Sequence, residues 1–289
     1  MSLKEAKMVE IGRENYKSYG ECISFISKDI KLLVTIELGP RIIFYGKNGI
    51  NIMFEDLKDT TNKGGEFFDT NLKGEGIWHL YGGHRLWKSP EYMDTYYPDN
   101  KIVDVKVVAN NRAIFISKEE TTTKLQKSLD IAMNDDGSIV LKQYIANKGN
   151  DSIEISAWGL TVLDNGAKAI IPLSQIDTGF LPNRNIVYWP YTDINDERIT
   201  ISNKEVVVEQ KNIVQPIKVG LFVQDEIKTY IKGMVFSIHL DKKSGTYPDF
   251  SCNCECYTNN YIFEIETLSP LTTLAPNDSI EHIEYWSLN

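Results

Sequence analysis

Between Ile23 and Trp286 one pattern recurs along this 289-residue chain: a short run rich in Val, Ile, Thr, Tyr and Phe, then a turn. Lys31-Leu-Leu-Val-Thr-Ile-Glu37, Arg41-Ile-Ile-Phe-Tyr45, Ile102-Val-Asp-Val-Lys-Val-Val108 and Ala113-Ile-Phe-Ile-Ser117 are early examples. Residues 138–146, 152–162, 205–209, 217–223, 234–240, 261–265 and 279–286 continue the series. Gly46-Lys-Asn-Gly49, Asn134-Asp-Asp-Gly137 and Asn147-Lys-Gly-Asn150 supply turn chemistry between runs. Many runs alternate apolar with polar residues, so each strand has one face to bury. No window carries a helical period with caps, so no helix is on offer to cover those faces. Sheets must therefore cover sheets, which predicts an all-β fold: a large, mostly antiparallel β-sandwich of roughly fifteen strands. No Pro- or Ser-rich linker divides the chain, so residues 1–289 are expected to form a single domain. No fixed-period repeat suggests a propeller. The Gly-, Lys- and Asp-rich stretch 58–80 and residues 88–100 read as long loops, where function often resides.

Composition narrows the partners. The chain is 42% hydrophobic and 25% charged, as in ordinary globular proteins, and its charge is 31 − 40 = −9. Without a basic stripe, nucleic acid and anionic membrane surfaces are poor partners. No apolar run approaches transmembrane length, and Met1-Ser-Leu-Lys-Glu-Ala-Lys7 lacks the apolar core of a signal peptide. Four cysteines are too few to staple the chain, and unpaired thiols fit a reducing cytoplasm. Cys252-Asn-Cys254-Glu-Cys256 has neither the spacing nor the second ligand pair of a structural zinc site; alternation instead puts its thiols on one strand face. The nucleotide, lipase and metalloprotease motifs are missing, and neither a metal nor an organic cofactor is expected.

Two segments concentrate chemistry. Trp78-His-Leu-Tyr-Gly-Gly-His-Arg-Leu-Trp-Lys-Ser-Pro-Glu91 reads as a loop. There Gly82-Gly83 permits positive φ or a close approach, and His84 can exchange a proton near neutral pH. Arg85 offers a planar donor fork, and Trp78 and Trp87 offer flat faces of the kind sugar rings stack on. The plainer reading is a loop packed by its own aromatics, with Arg85 satisfying buried carbonyls. In Phe263-Glu-Ile-Glu-Thr267, strand alternation sets Glu264 and Glu266 on one face, opposite Phe263 and Ile265. Two carboxylates sharing a face disfavour joint ionisation, and a carboxylate base with a histidine acid is a minimal proton-transfer pair. The alternative is a solvent-facing polar strand side. Trp189-Pro-Tyr191 and Tyr247-Pro-Asp249 read as turns that expose rings, and Trp158 as core.

Leu38-Gly-Pro-Arg-Ile42, Tyr81-Gly-Gly-His-Arg-Leu-Trp87, Ala157-Trp-Gly-Leu-Thr161, Trp189-Pro-Tyr191, Tyr247-Pro-Asp249, Glu264-Ile-Glu-Thr-Leu-Ser-Pro270 and the closing Leu274-Ala-Pro-Asn-Asp-Ser-Ile-Glu-His282 together resemble the galactose-mutarotase-like (aldose 1-epimerase-like) proteins, and more narrowly a bacterial branch of them. The resemblance implies a large antiparallel β-sandwich and a small-molecule carbohydrate as partner; it names neither the sugar nor an oligomeric state. Sugar mutarotases use a Glu as base on the anomeric hydroxyl and a His as acid on the ring oxygen. Carried over, Glu266 is the catalytic base and His84 the acid. Arg85, Arg41, Trp87, Glu264 and Asp249 form the substrate-binding set. The chain departs from the pattern in having no His between residues 85 and 238, where a mutarotase carries its mid-chain histidine. The expected activity is thus epimerase chemistry at a sugar anomeric centre. The alternatives are a non-catalytic carbohydrate-binding module or a lyase-type enzyme using Arg85 on a uronate.

Overall fold

The alternating runs pair into two large antiparallel sheets. The structure, a computed structural model, describes residues 9–72, 74–241 and 243–289, so the charged N-terminal segment up to Lys7 lies outside the described residues. The first sheet has twelve strands. From its middle to one edge it runs Ile42–Lys47, Gly83–Ser89, Ile153–Leu163, Phe263–Leu268, Cys254–Thr258, Ile217–Leu221 and Ile186–Tyr188. The second has ten, with Met234–Leu240, Ser279–Leu288, Ile139–Asn147 and Leu125–Met133 at its middle. The expected all-β antiparallel sandwich is what forms. Among the described residues there are 24 strands rather than fifteen, several of them only two or three residues long. Two short helices, Glu66–Leu72 and Pro248–Ser251, also form, the first within the stretch expected to be a loop. Among the described residues no helix is long and apolar enough to cross a membrane.

Alternation builds the core. In Ile139–Asn147 every second residue is buried, and Ile139, Leu141 and Ile145 face Phe25, Leu32 and Tyr45 of the other sheet in one apolar cluster. Aromatic pairs bridge the sheets, with Phe25 and Phe115 centroids 6.4 Å apart and Tyr45 and Trp286 5.8 Å apart. Full burial of each such side chain stabilises by roughly 1.5–3 kcal/mol. Cys254 and Cys256 point into this core from one strand face, as alternation required, while Cys252 precedes the strand. Burial pushes the Cys252 thiol up to about 12 and the other two well above the usual thiol range, so all three serve as small apolar fillers.

The central strands of the first sheet are buried on both sides; Phe263–Leu268 is buried at every position. Their outer face carries a second cluster of Trp78, Leu80, Trp87, Trp158, Leu160 and Leu268, among others. Gly82 and Gly83 make that arrangement possible. Both have positive φ, and a Cβ on either would fall 2.1 Å from the Phe54 carbonyl oxygen or 2.3 Å from that of Ile42.

A polar network crosses the core behind these strands. Glu284 accepts from Gln143 Nε2 (2.8 Å), Thr267 Oγ1 (2.6 Å) and Trp286 Nε1 (2.6 Å). Gln143 Oε1 accepts from His84 Nε2 (2.9 Å), whose Nδ1 meets Thr161 Oγ1 (2.9 Å). His282 Nε2 donates to Thr267 Oγ1 (2.7 Å). Burial alone would raise the Glu284 carboxyl, but His282, His84 and the Thr267 hydroxyl outweigh it and hold the group at about 2. Its folded value lies below the ordinary 4.5, so its contribution is present above about 4.5 and fades as pH falls towards 2. Glu284→Gln should therefore cost about 1–3 kcal/mol at neutral pH. In urea unfolding at stepped pH, the gap between wild type and variant should close through that acid window; a gap constant from pH 7 to 2 would contradict this account.

Candidate functional site

Register decides which side chains meet. Arg85 lies opposite Leu160, Leu160 opposite Glu266, and Glu266 opposite Glu255. In an antiparallel sheet such a row shares one face. The neighbouring row on that face runs Gly83, Val162, Glu264, Tyr257, Lys218, and the next holds Trp87, Trp158 and Leu268. The row between the first two, His84, Thr161, Ile265, Cys256 and Val219, faces the inter-sheet core.

The outer rows floor a cleft of about 360 Å³, within the range of small-molecule sites. Trp78, Trp87 and Trp158 line it together with Trp189, Tyr191 and Tyr257. Four of the chain's five tryptophans are thus in this one place. Charged groups sit among the rings: Arg85, Lys218, Glu264 and Glu266, with Lys63 and Glu91 also on the lining.

These charges are buried and coupled. Lys218 Nζ lies 2.8 Å from Glu266 Oε2 and 2.7 Å from Glu255 Oε2. It also stands 4.8 Å from the Trp158 ring centroid and 4.7 Å from that of Trp189. Burial pulls its ammonium down, but the two carboxylates hold it well above the usual lysine range. The Trp158 indole N–H donates to the same Glu266 oxygen at 2.8 Å. Burial drives Glu255 well above the ordinary carboxyl range against the pull of Lys218, and its Oε1 has no hydrogen-bond partner. Glu264 is also raised by burial; Arg85 pulls it back, and it settles at about 7. Burial lowers Arg85 to about 10, which leaves it cationic at neutral pH. Its guanidinium lies 4.3 Å from the Trp87 ring centroid.

Arg85, Trp87, Glu264 and Glu266 therefore come together as expected, and Glu264 and Glu266 do share a face opposite Phe263 and Ile265. His84 does not join them. The segment read as a loop is the strand Gly83–Ser89, so consecutive His84 and Arg85 point to opposite faces. His84 is fully buried between the sheets, where burial lowers its pKa and the core network holds it. Arg41 is also a correction. It is wholly buried, its fork is closed on Asp99 (2.8 and 3.0 Å), and Nη1 donates to the Leu80 and Gly82 carbonyls. It anchors the Gly-Gly turn instead of reaching the cleft. Asp249 sits at φ +50° in the short helix Pro248–Ser251 and is not on the cleft wall. Trp158, expected in the core, is cleft wall, and Trp189 and Tyr191 border the cleft. Lys218 was missed, although a lone lysine inside the apolar run Ile217-Lys-Val-Gly-Leu221 is a signal of a buried, partnered cation. Among the described residues no histidine lines this cleft, and no cluster of three or more His, Cys, Asp or Glu is arranged to hold a metal.

No protein-family model matches the sequence, and no curated protein matches it either. Solved structures do resemble it. A candidate aldose 1-epimerase of Klebsiella pneumoniae aligns over 96% of this chain and 83% of its own, with TM-score 0.60 and 13% identity. A galactose mutarotase-like protein of Clostridium acetobutylicum aligns over 97% and 98%, with TM-score 0.56 and 13% identity. The fold is the galactose-mutarotase-like sandwich. A TPR-domain-containing protein of Parabacteroides distasonis shares it at TM-score 0.61 and 13% identity over 93% of this chain, which spans only 47% of that longer one. At these identities the likeness is one of fold, so the chemistry of this galactose-mutarotase-like sandwich has to be argued from its own cleft.

The most distinctive titration in that cleft belongs to Glu264. Carboxyl NMR should place its midpoint at about 7 and move it higher in Arg85→Leu, because the guanidinium is what pulls it down. A midpoint near 4.5, or one indifferent to Arg85, would refute the electrostatic picture.

Proposed function

We propose that this protein binds a carbohydrate in the outer cleft of its larger sheet. The observation that carries the reading is the mixture of aromatic rings and buried charged groups on one concave wall. A sugar ring has an apolar face for the former and a rim of hydroxyls for the latter. Trp87 and Trp158 would take the ring, while Arg85, Glu266 and Lys218 would exchange hydrogen bonds with hydroxyls. The solved neighbours named as an aldose 1-epimerase and a mutarotase-like protein support the same class of ligand. Because His84 faces the core, a Glu266–His84 acid–base pair is not part of the proposal.

One observation favours a second, catalytic reading. Glu264 sits at about 7 and so can still carry a proton near neutrality, whereas neighbouring Glu266 faces an ammonium and an indole N–H. Two carboxyls whose surroundings differ in this way can divide acid and base roles. Glu266 would then take the proton of the anomeric hydroxyl while Glu264 protonates the ring oxygen, opening the ring so that it can reclose as the other anomer. Such a step needs only side chains.

Calorimetry with monosaccharides and polarimetry on freshly dissolved α-anomers separate the two. Saturable binding that Trp87→Ala weakens about tenfold or more, roughly 1.4 kcal/mol, supports the binding reading. Accelerated mutarotation that vanishes in Glu266→Gln and Glu264→Gln, with binding retained, adds the catalytic one. Full binding in Trp87→Ala would reject the cleft as the site.

A further inference from the structure

We infer that the sugar held in this cleft carries a carboxylate, as a uronic acid does, and that Arg85 is its partner. The inference rests on the carbohydrate reading above and names the substrate class within it.

Three arginines are buried among the described residues: Arg41, Arg85 and Arg198. Arg41 closes its fork on Asp99 and donates to two carbonyls. Arg198 closes its fork on Asp196 (2.8 Å to each oxygen) and donates to the Gln215 carbonyl at 2.7 Å. Arg85 is only 3% exposed, yet its Nε and Nη1 have no hydrogen-bond partner, and its nearest carboxylate, Glu264, stays 3.7 Å from Nη2. A buried charged donor without an acceptor is costly, and this chain avoids that cost at its other two buried guanidiniums. Unpaired N–H groups on a guanidinium that borders a cleft are therefore a vacancy for an acceptor that comes from outside.

The shape of the vacancy defines the acceptor. A guanidinium edge offers parallel N–H groups that match the two oxygens of a carboxylate, whereas a hydroxyl meets only one of them. The stacking on Trp87 at 4.3 Å fixes the plane of the fork. Arg85 also borders a crevice of about 40 Å³ on the lining with Pro40, Asp99 and Glu120, which is too small for a sugar ring, so the sugar must come from the cleft. A phosphate fits less well. Lys218 is already shared between Glu255 and Glu266, which leaves Arg85 and Lys63, and Glu91, Glu264 and Glu266 line the same space, so a dianion would meet two cations among three carboxyl groups.

Calorimetry on the full chain with D-galacturonate, D-glucuronate, D-galactose, D-glucose and D-glucose 6-phosphate tests the assignment. At least one uronate should bind about tenfold or more tightly than its neutral parent. Arg85→Lys keeps a charge but loses the fork, and Arg85→Met loses both; each should lower uronate affinity more than neutral-sugar affinity and so erase that preference. Neutral parents binding as tightly as both uronates, the phosphate binding more tightly than either, or a preference that survives both variants would overturn the inference. The wild-type comparison decides the matter even if a variant does not fold. If no sugar binds, acidic or neutral, the carbohydrate reading fails instead.

Discussion

Side chains on a strand alternate, and in the middle of the larger sheet both faces are buried. Residues 83–87, 155–163 and 263–268 are all buried, so each of them faces either the inter-sheet core or the outer side that carries the cleft. Every feature of the candidate site follows from that partition. Arg85 with Glu266, and Trp87 with Trp158, fall on the cleft side; His84, Thr161 and Thr267 fall on the other.

The core side holds the cleft side in place. Thr161 and Thr267 are each one residue from a cleft residue, Leu160 and Glu266, and both are hydrogen-bonded into the network around Glu284 and Gln143. A strand pinned from behind cannot slide, since a one-residue slip would carry every cleft residue to the wrong face. That rigidity is what lets Lys218 sit between Glu255 and Glu266 at 2.7 and 2.8 Å with little access to solvent. Burying such a triad is not a route to stability, because desolvation offsets much of the attraction. Its value is a charge held in place beside a ligand.

The sandwich was legible in the sequence because alternation is local: a few residues suffice to show it, and the same rule put Glu264 and Glu266 on one face and Cys254 and Cys256 on another. The strand count was low because segments such as Ile50–Asn51 and Thr272–Leu274 are too short to show a period. His84 was misjudged because Gly82-Gly83 suggested a loop. Treated as a strand, His84-Arg85-Leu-Trp87 separates the histidine from the arginine at once. Arg41 and Trp158 could not be sorted by local pattern, since what Arg41 meets is Asp99 and what Trp158 meets is Glu266, each far along the chain. The unpaired N–H groups of Arg85 are of the same kind: a missing partner becomes visible only when every neighbour is in place.

Ligand recognition on the outer face should leave the inter-sheet network untouched. The five tryptophans report on both sides. Trp78, Trp87, Trp158 and Trp189 line the cleft, while the Trp286 indole N–H is bound to Glu284 in the core. The direct measurement is a two-dimensional NMR titration of the five indole N–H signals with D-galacturonate and D-galactose. The account predicts that cleft signals shift, with Trp158 foremost because its N–H contacts Glu266, and that the Trp286 signal stays where it is. A titration that moves Trp286 and leaves the other four unchanged would contradict it.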